Sequence, residues 1–272
     1  MYSLFRTEWL KLNRYPAFWL LLGICMITYP GINLIVLNIY HEVTQKESTT
    51  GQIVTMLLGN PFSFPEVWKT SAYLSSIFVF IPAVLVIMLI TNEYNYKTSR
   101  QNIIDGWSRK DFMVAKAIDV LLITLIVTIM YAVVAFFMGM QNTTGEEYAI
   151  FDQIYYIALF SLHTFSQLSI AFLVGLLVRK AFLAMAIFLF YALIAEPIAV
   201  NLLKYKFKLE IGRYFPLEIA DRMLPQPAFM NKLDEAKYQA ALDAVSTHVW
   251  LTLALVALTW FINYRLYLKR DL

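Results

Sequence analysis

The sequence predicts an all-α polytopic membrane protein. It has six transmembrane helices, an N-terminal amphipathic interfacial helix, a charged cytoplasmic segment and a long outer loop. Three observations lead there. Of 272 residues, 60% are hydrophobic and 15% charged, with mean hydropathy +0.60; a soluble domain is about 45–50% apolar and about 25% charged. The apolar residues gather in six long runs, and a helix needs roughly 20 of them to cross a hydrocarbon core about 30 Å thick. No run alternates with period two, which argues against a transmembrane β-barrel.

Residues 1–16 carry Tyr2, Phe5, Trp9 and Leu12 on one helical face, with Lys11 and Arg14 elsewhere. That pattern fits a helix lying in the cytoplasmic interface better than a frayed basic tail. The first apolar run, Ala17–Ile39, follows Arg6, Lys11 and Arg14 as a signal peptide would. It continues past the usual h-region and lacks a small-residue cleavage site, so it reads as a retained span. Within it Tyr29, Pro30, Gly31 and Asn33 predict a kink with a polar lining.

GNPFSFPEVW (59–68) reads as a turn with Pro65 at a helix start. The next spans are Tyr73–Thr91, Ala117–Met140, Gln153–Val178, Ala181–Val200 and His248–Tyr264, the last lengthened to Val245–Leu268. The connection 201–247 is broken by Pro216, Pro225 and Pro227. Its stretch RYFPLEIADRML (213–224) fits either an interfacial or re-entrant helix or an ordinary loop. Asn231 is positioned to cap a helix running from Lys232 into the sixth span.

Basic residues set the orientation. Arg6, Lys11, Arg14, Lys97, Arg100, Arg109, Lys110, Lys116, Arg179, Lys180, Arg265, Lys269 and Arg270 all fall on one side of a six-span alternation. The positive-inside rule makes that side, with both termini, cytoplasmic in a cytoplasmic (inner) membrane. The basic residues of 201–247 run against this, but long loops weigh less in the rule.

Catalysis finds no foothold. The single Cys25 allows no disulfide framework and no cysteine-based metal site. There is no G-x-x-x-x-G-K-[ST] loop, no G-x-G-x-x-G, no H-E-x-x-H and no G-x-S-x-G. The chain is expected to be no enzyme and to hold no cofactor or metal. A net charge of +3 gives no reason to expect nucleic acid. Polar groups inside spans remain. Glu196, ahead of Pro197, is either functional or hydrated at the interface. His163 with Gln167, and Thr124 with Thr128, each lie one turn apart and read as interhelical glue.

The segment NEYNYKTSRQNIIDGWSRKDFMVAK (92–116) is the strongest functional signal. Ser99–Asp105 and Arg109–Ala117 predict short helices on either side of Gly106, with Asp111 placed to cap the second and Lys116 at the membrane surface. A loop that only sets orientation needs positive charge but has no use for Ile103, Ile104 and Trp107. Apolar anchors inside a charged rim read instead as a docking surface.

The same residues resemble the permease subunits of type-2 ABC exporters. After the second span these carry a Glu, an aromatic, a Gly-Thr or similar pair, an Arg, a small-residue turn, a Ser-Arg and a membrane-proximal Lys. Here those positions are Glu93, Tyr96, Thr98, Arg100, Gly106, Ser108, Arg109 and Lys116, in a form similar to Bacteroidetes permeases. The departure is Lys97, where the family often has Gly. The resemblance implies one permease domain over 1–272, pairing with a second permease copy or paralogue in the lipid bilayer and driven by two separate ATPase subunits that bind the ATP and Mg. It makes 92–116 a coupling segment, with Ile103, Ile104 and Trp107 as anchors, Arg100 and Arg109 as rim, and Glu93 tying the helix to the membrane boundary. It also implies that the first and fifth spans face the dimer partner, so Tyr29, Asn33, Tyr191 and Glu196 would line the translocation path or the dimer interface. The alternative is a non-transporting assembly or signalling subunit whose cytoplasmic loop binds another partner.

Overall fold

A computed structural model describes residues 2–44, 59–104, 106–143, 150–231 and 234–269. Within them the chain is helical. The first helix, α1 (Tyr2–Asn13), leads through a short turn into α2 (Pro16–Thr44), which runs unbroken through Pro30. Next come α3 (Val67–Ser76) and α4 (Phe80–Asn95), bent by 49° at residues 77–79. A short helix, α5 (Thr98–Ile104), precedes the 34-residue α6 (Arg109–Asn142). The remaining long helices are α7 (Tyr156–Val178), α8 (Ala181–Phe190) continued through a π turn (Tyr191–Ala195) into α9 (Glu196–Tyr205), and the 35-residue α12 (Glu235–Lys269). Between α9 and α12 lie a 3₁₀ turn (Glu210–Tyr214), α10 (Pro216–Asp221) and α11 (Ala228–Asn231).

Five of these helices are long and apolar enough to cross a membrane: α2, α6, α7, α8–α9 and α12. The bent pair α3–α4 passes the same test as one broken span. The outside of the bundle is apolar, with Ile27, Ile129, Phe137, Phe182, Ile198 and Phe261 all exposed. A soluble fold does not leave such a continuous apolar exterior; the chain is a membrane protein.

The helix α7 is central, touching α3, α4, α6, α8, α10 and α12. Small residues make that possible. A Cβ on Gly175 would lie 2.5 Å from Ile90 Cγ2, so the α4–α7 crossing depends on glycine there. Ser169 accepts a hydrogen bond from Trp260 Nε1 at 3.0 Å, tying α12 to α7. Tyr29 and Asn33 are fully buried against this core, with Tyr29 edge-on to Phe160 of α7.

Several sequence expectations are corrected. The helix α2 is continuous through Pro30, and Tyr29 and Asn33, expected to line the translocation path or dimer interface, are buried within the chain. Pro65 lies in the turn before α3, which begins at Val67. Arg109 opens α6 itself, not a separate short helix, because its capping box feeds directly into the apolar run. Helices reach further into the 201–247 connection than hydropathy indicates, leaving about 30 residues between Tyr205 and Glu235. Asn231 ends α11, while the Asp234 carboxylate accepts from the Lys237 backbone N–H and caps α12. Asp105, and residues 232 and 233, lie outside the described residues.

That connection is tethered to the bundle. In α10, Leu217, Ile219 and Ala220 are buried, as are Met223 and Leu224 just after it. Asp221 Oδ1 meets His163 Nε2 and Gln167 Nε2, each at 2.8 Å. The His163–Gln167 pair therefore does bridge elements. Thr124 does not: its hydroxyl donates to Val120 O within α6.

Candidate functional site

Segment 92–116 lies at one end of the bundle, beside α1, the α7–α8 turn and the last turn of α12. Its course is set by local chemistry. The Tyr96 N–H bonds back to Asn92 O and ends α4. Lys97 then takes a left-handed conformation (φ 55) that turns the chain sharply into α5. On the far side Gly106 (φ 98) turns it back, a conformation open to glycine at no steric cost. Ser108 and Asp111 form a reciprocal capping box that starts α6.

Beneath α5 sits a buried ion cluster. Lys116 is 3% exposed, and its ammonium donates to Glu8 at 2.5 Å, Glu93 at 2.8 Å and Asp119 at 3.0 Å. Lys11 adds bonds to Glu8 at 2.8 Å and Glu93 at 3.3 Å. Glu93 also accepts from Thr98, the first residue of α5. Thus α1, α4, α5 and α6 are joined through one set of charges. Three carboxylates surround the Lys116 ammonium, which fills the position a bound cation would need; among the described residues no set of His, Cys, Asp and Glu side chains is arranged to hold a metal.

Burial alone would raise the Glu8 carboxyl. Lys116, a hydrogen bond shared with Asp119, and Lys11 overcome it and hold the group at about 2, against an ordinary 4.5.

Around the cluster lie aromatic and basic contacts. Lys11 sits 5.7 Å above the Trp107 ring, and Lys116 5.5 Å from Phe112, which stacks on Tyr267 of α12. Arg109 Nη1 donates to Leu268 O at 2.5 Å, satisfying a carbonyl at the end of α12. Arg179, at the end of α7, stacks 4.6 Å from Tyr94.

The predicted site residues therefore divide. Glu93, Lys116, Arg109 and Trp107 point into the bundle and fasten the segment. Lys116 is not at an open membrane surface, as the sequence implies, because three carboxylates draw it inward. Trp107 is half-buried under Lys11 rather than free. Tyr96, Lys97, Arg100, Ile104, Gly106 and Ser108 are exposed, Ile104 at 77%, while Ile103 is half-buried. Tyr191 opens the π turn and packs part-buried against the core. Glu196 is buried, and its Oε1 accepts from the backbone N–H groups of Leu217 and Glu218 at 2.9 and 2.7 Å. That makes it the N-terminal cap of α10, a structural clamp rather than a hydrated interface group.

Sequence reasoning missed Glu8 and Asp119. Asp119 carried a usable signal: it is an ionisable residue within a predicted span. Glu8 carried less. It sits one turn before Leu12 and both are buried, whereas the neighbouring Trp9 is exposed; the side chains of Tyr2 and Phe5 lie outside the described residues.

A membrane-embedded helical bundle with a charged, tethered segment at one end is the class of protein that fold and site define. Residues 59–272 match the model of a family described as protein of unknown function (DUF2705), and the chain belongs to that family. No curated protein and no solved structure matches it.

Proposed function

We propose that the chain is the permease subunit of an ATP-driven type-2 ABC exporter. It has six spans, with α3–α4 as one bent span, and both termini in the cytoplasm. Two copies, or the chain and a paralogue, form the substrate path. Separate ATPase subunits dock on the exposed face of α5.

The observation that carries this reading is mechanical. The helix α5 presents Ile104 and Arg100 outward, with Tyr96 exposed just before it, yet both its flanks are fastened to buried charges. Glu93 and Thr98 hold its start; Ser108, Arg109 and Lys116 hold the chain beyond its end. A solvated orientation loop needs no such fastening, whereas a lever that passes a partner's motion into the spans does. Lys97 adds support: it holds the left-handed backbone that glycine adopts most readily, where the resembled permeases often carry glycine.

The structure sharpens the choice of anchor. Trp107 is engaged within the chain, so its replacement perturbs stability as well as docking. Ile104 makes the cleaner test. Co-expression with a phosphate-loop ATPase encoded beside it, followed by purification in mild detergent, should recover a stoichiometric complex. Ile104→Asp should lose the ATPase while melting like the wild type. Equal recovery with Ile104→Asp rules out docking through α5. Failure to recover any ATPase from the wild type counts against the permease reading itself.

A further inference from the structure

At the end of the bundle opposite the ion cluster, a cleft of about 390 Å³ opens between the start of α3, the turn before α7 and the start of α12. This lies within the roughly 300–1,000 Å³ typical of small-molecule sites. Its chemistry is specific. Lys69, almost fully buried at its wall, is spent: its ammonium donates to Glu66 at 2.6 Å and to the Tyr238 hydroxyl at 2.6 Å, with the Tyr238 ring 5.3 Å away. It is not free to hold an anion.

Acceptors remain. Gln153 Nε2 donates to Glu66 at 2.8 Å, and because a carboxylate only accepts, the amide orientation is fixed. Its Oε1 is thereby left as a buried acceptor without a donor among the described residues. Gln153 also holds a left-handed backbone (φ 63), unusual for this residue type. At the rim, Glu235 is exposed and is engaged through one oxygen by Gln239. Glu66 and Glu235 against Lys69 give the cleft one net negative charge. Aromatic surface completes it, with Tyr155 exposed and stacked on Tyr156 at 4.7 Å.

Surplus acceptors, a negative balance and the exposed Tyr155 ring match a ligand with N–H donors, positive charge and a flat apolar body. The geometry points to this cleft as a binding site for a small amphiphilic organic cation, a protonated amine or guanidine carried on an aromatic group. The site goes beyond the permease reading and does not rest on it.

The test uses the full chain in nanodiscs of zwitterionic phosphatidylcholine, titrated with the fluorescent aromatic amine dansylcadaverine. Neutral dansylamide is the charge control, and empty nanodiscs report partition into lipid. Saturable binding above the empty discs, at least tenfold tighter for the amine than for the amide, is expected. Glu235→Gln and Tyr155→Ala should each weaken it about fivefold or more. Glu235 is exposed, so its variant should melt like the wild type and report binding alone. Weakened binding by either variant at an unchanged melting temperature supports the site. The proposal is overturned by equal affinity for amine and amide, by no saturable binding, or by wild-type affinity in both variants.

Discussion

Replacing Lys116 by methionine tests the ion cluster most sharply. Methionine keeps most of the stem's volume and apolar contact, so the packing loss is small. What disappears is the ammonium that Glu8, Glu93 and Asp119 share at 2.5–3.0 Å, all of them buried. Removing one partner of a buried ion pair costs about 3–5 kcal/mol, because the charge left behind has neither water nor counter-ion. Here only Lys11, itself one-third exposed, remains to offset Glu8 and Glu93, while Asp119 is left with its hydrogen bond to Glu8. For a chain of this size each kcal/mol moves the melting temperature by roughly 2–4 °C, so a fall of about 10 °C is expected. Glu8→Met should cost less than half as much, since it leaves two carboxylates facing two ammonium groups. The double variant should melt above Lys116→Met, with a coupling of about 2 kcal/mol. Thermal unfolding in detergent, followed by tryptophan fluorescence, reads all three. A Lys116→Met protein melting within 2 °C of the wild type, or a Glu8→Met protein losing as much, refutes the reasoning.

Three further outcomes follow from the same geometry. Glu8 is held at about 2 when folded and is ordinarily near 4.5, so the stability its ionised form adds is present above pH 4.5 and is lost as pH falls toward 2. Melting temperature against pH should show that decline in the wild type and a shallower one in Glu8→Gln. Glu196→Ala removes the acceptor for two backbone N–H groups at the start of α10 and should cost about 1–3 kcal/mol; limited proteolysis should then cut residues 206–231 faster. At Lys97, φ 55 makes a β-branched residue costly, so Lys97→Val should lose about 1–2 kcal/mol while Lys97→Gly loses none.

Hydropathy located the long helices because a span must be continuously apolar, and the ends of the apolar runs marked where α7 stops and α8 starts. Hydropathy alone could not locate the starts of α6 and α12, since Arg109 and Glu235 open charged turns ahead of the apolar run; the capping pattern read a helix start at Arg109 and one at Lys232, close to Glu235. The break at residues 77–79 left a mark that hydropathy does not read: Pro82 has no N–H to give Phe78 O, and its ring crowds that carbonyl. The charged segment was legible as a functional element through Ile103, Ile104 and Trp107, but which of them is free was not. That division depends on Lys11 lying over Trp107, a contact between residues 96 positions apart. Glu8 was invisible for the same reason. Its buried partner Lys116 is 108 residues away, and the neighbouring Lys11 alone does not distinguish it from a solvated glutamate. Glu196 was legible as costly, whereas its answer, the N-terminus of α10, required the fold.

The central claim is that α5 is the face on which an ATPase works. Ile104→Cys in a Cys25→Ala background, treated in native membranes with a thiol-directed photocrosslinker, tests it directly. A covalent adduct with a phosphate-loop ATPase, its yield altered by ATP and absent when the cysteine is placed at Tyr155 on the opposite end, is the predicted result. No adduct with any nucleotide-binding protein from Ile104, or equal yields from both ends, contradicts it.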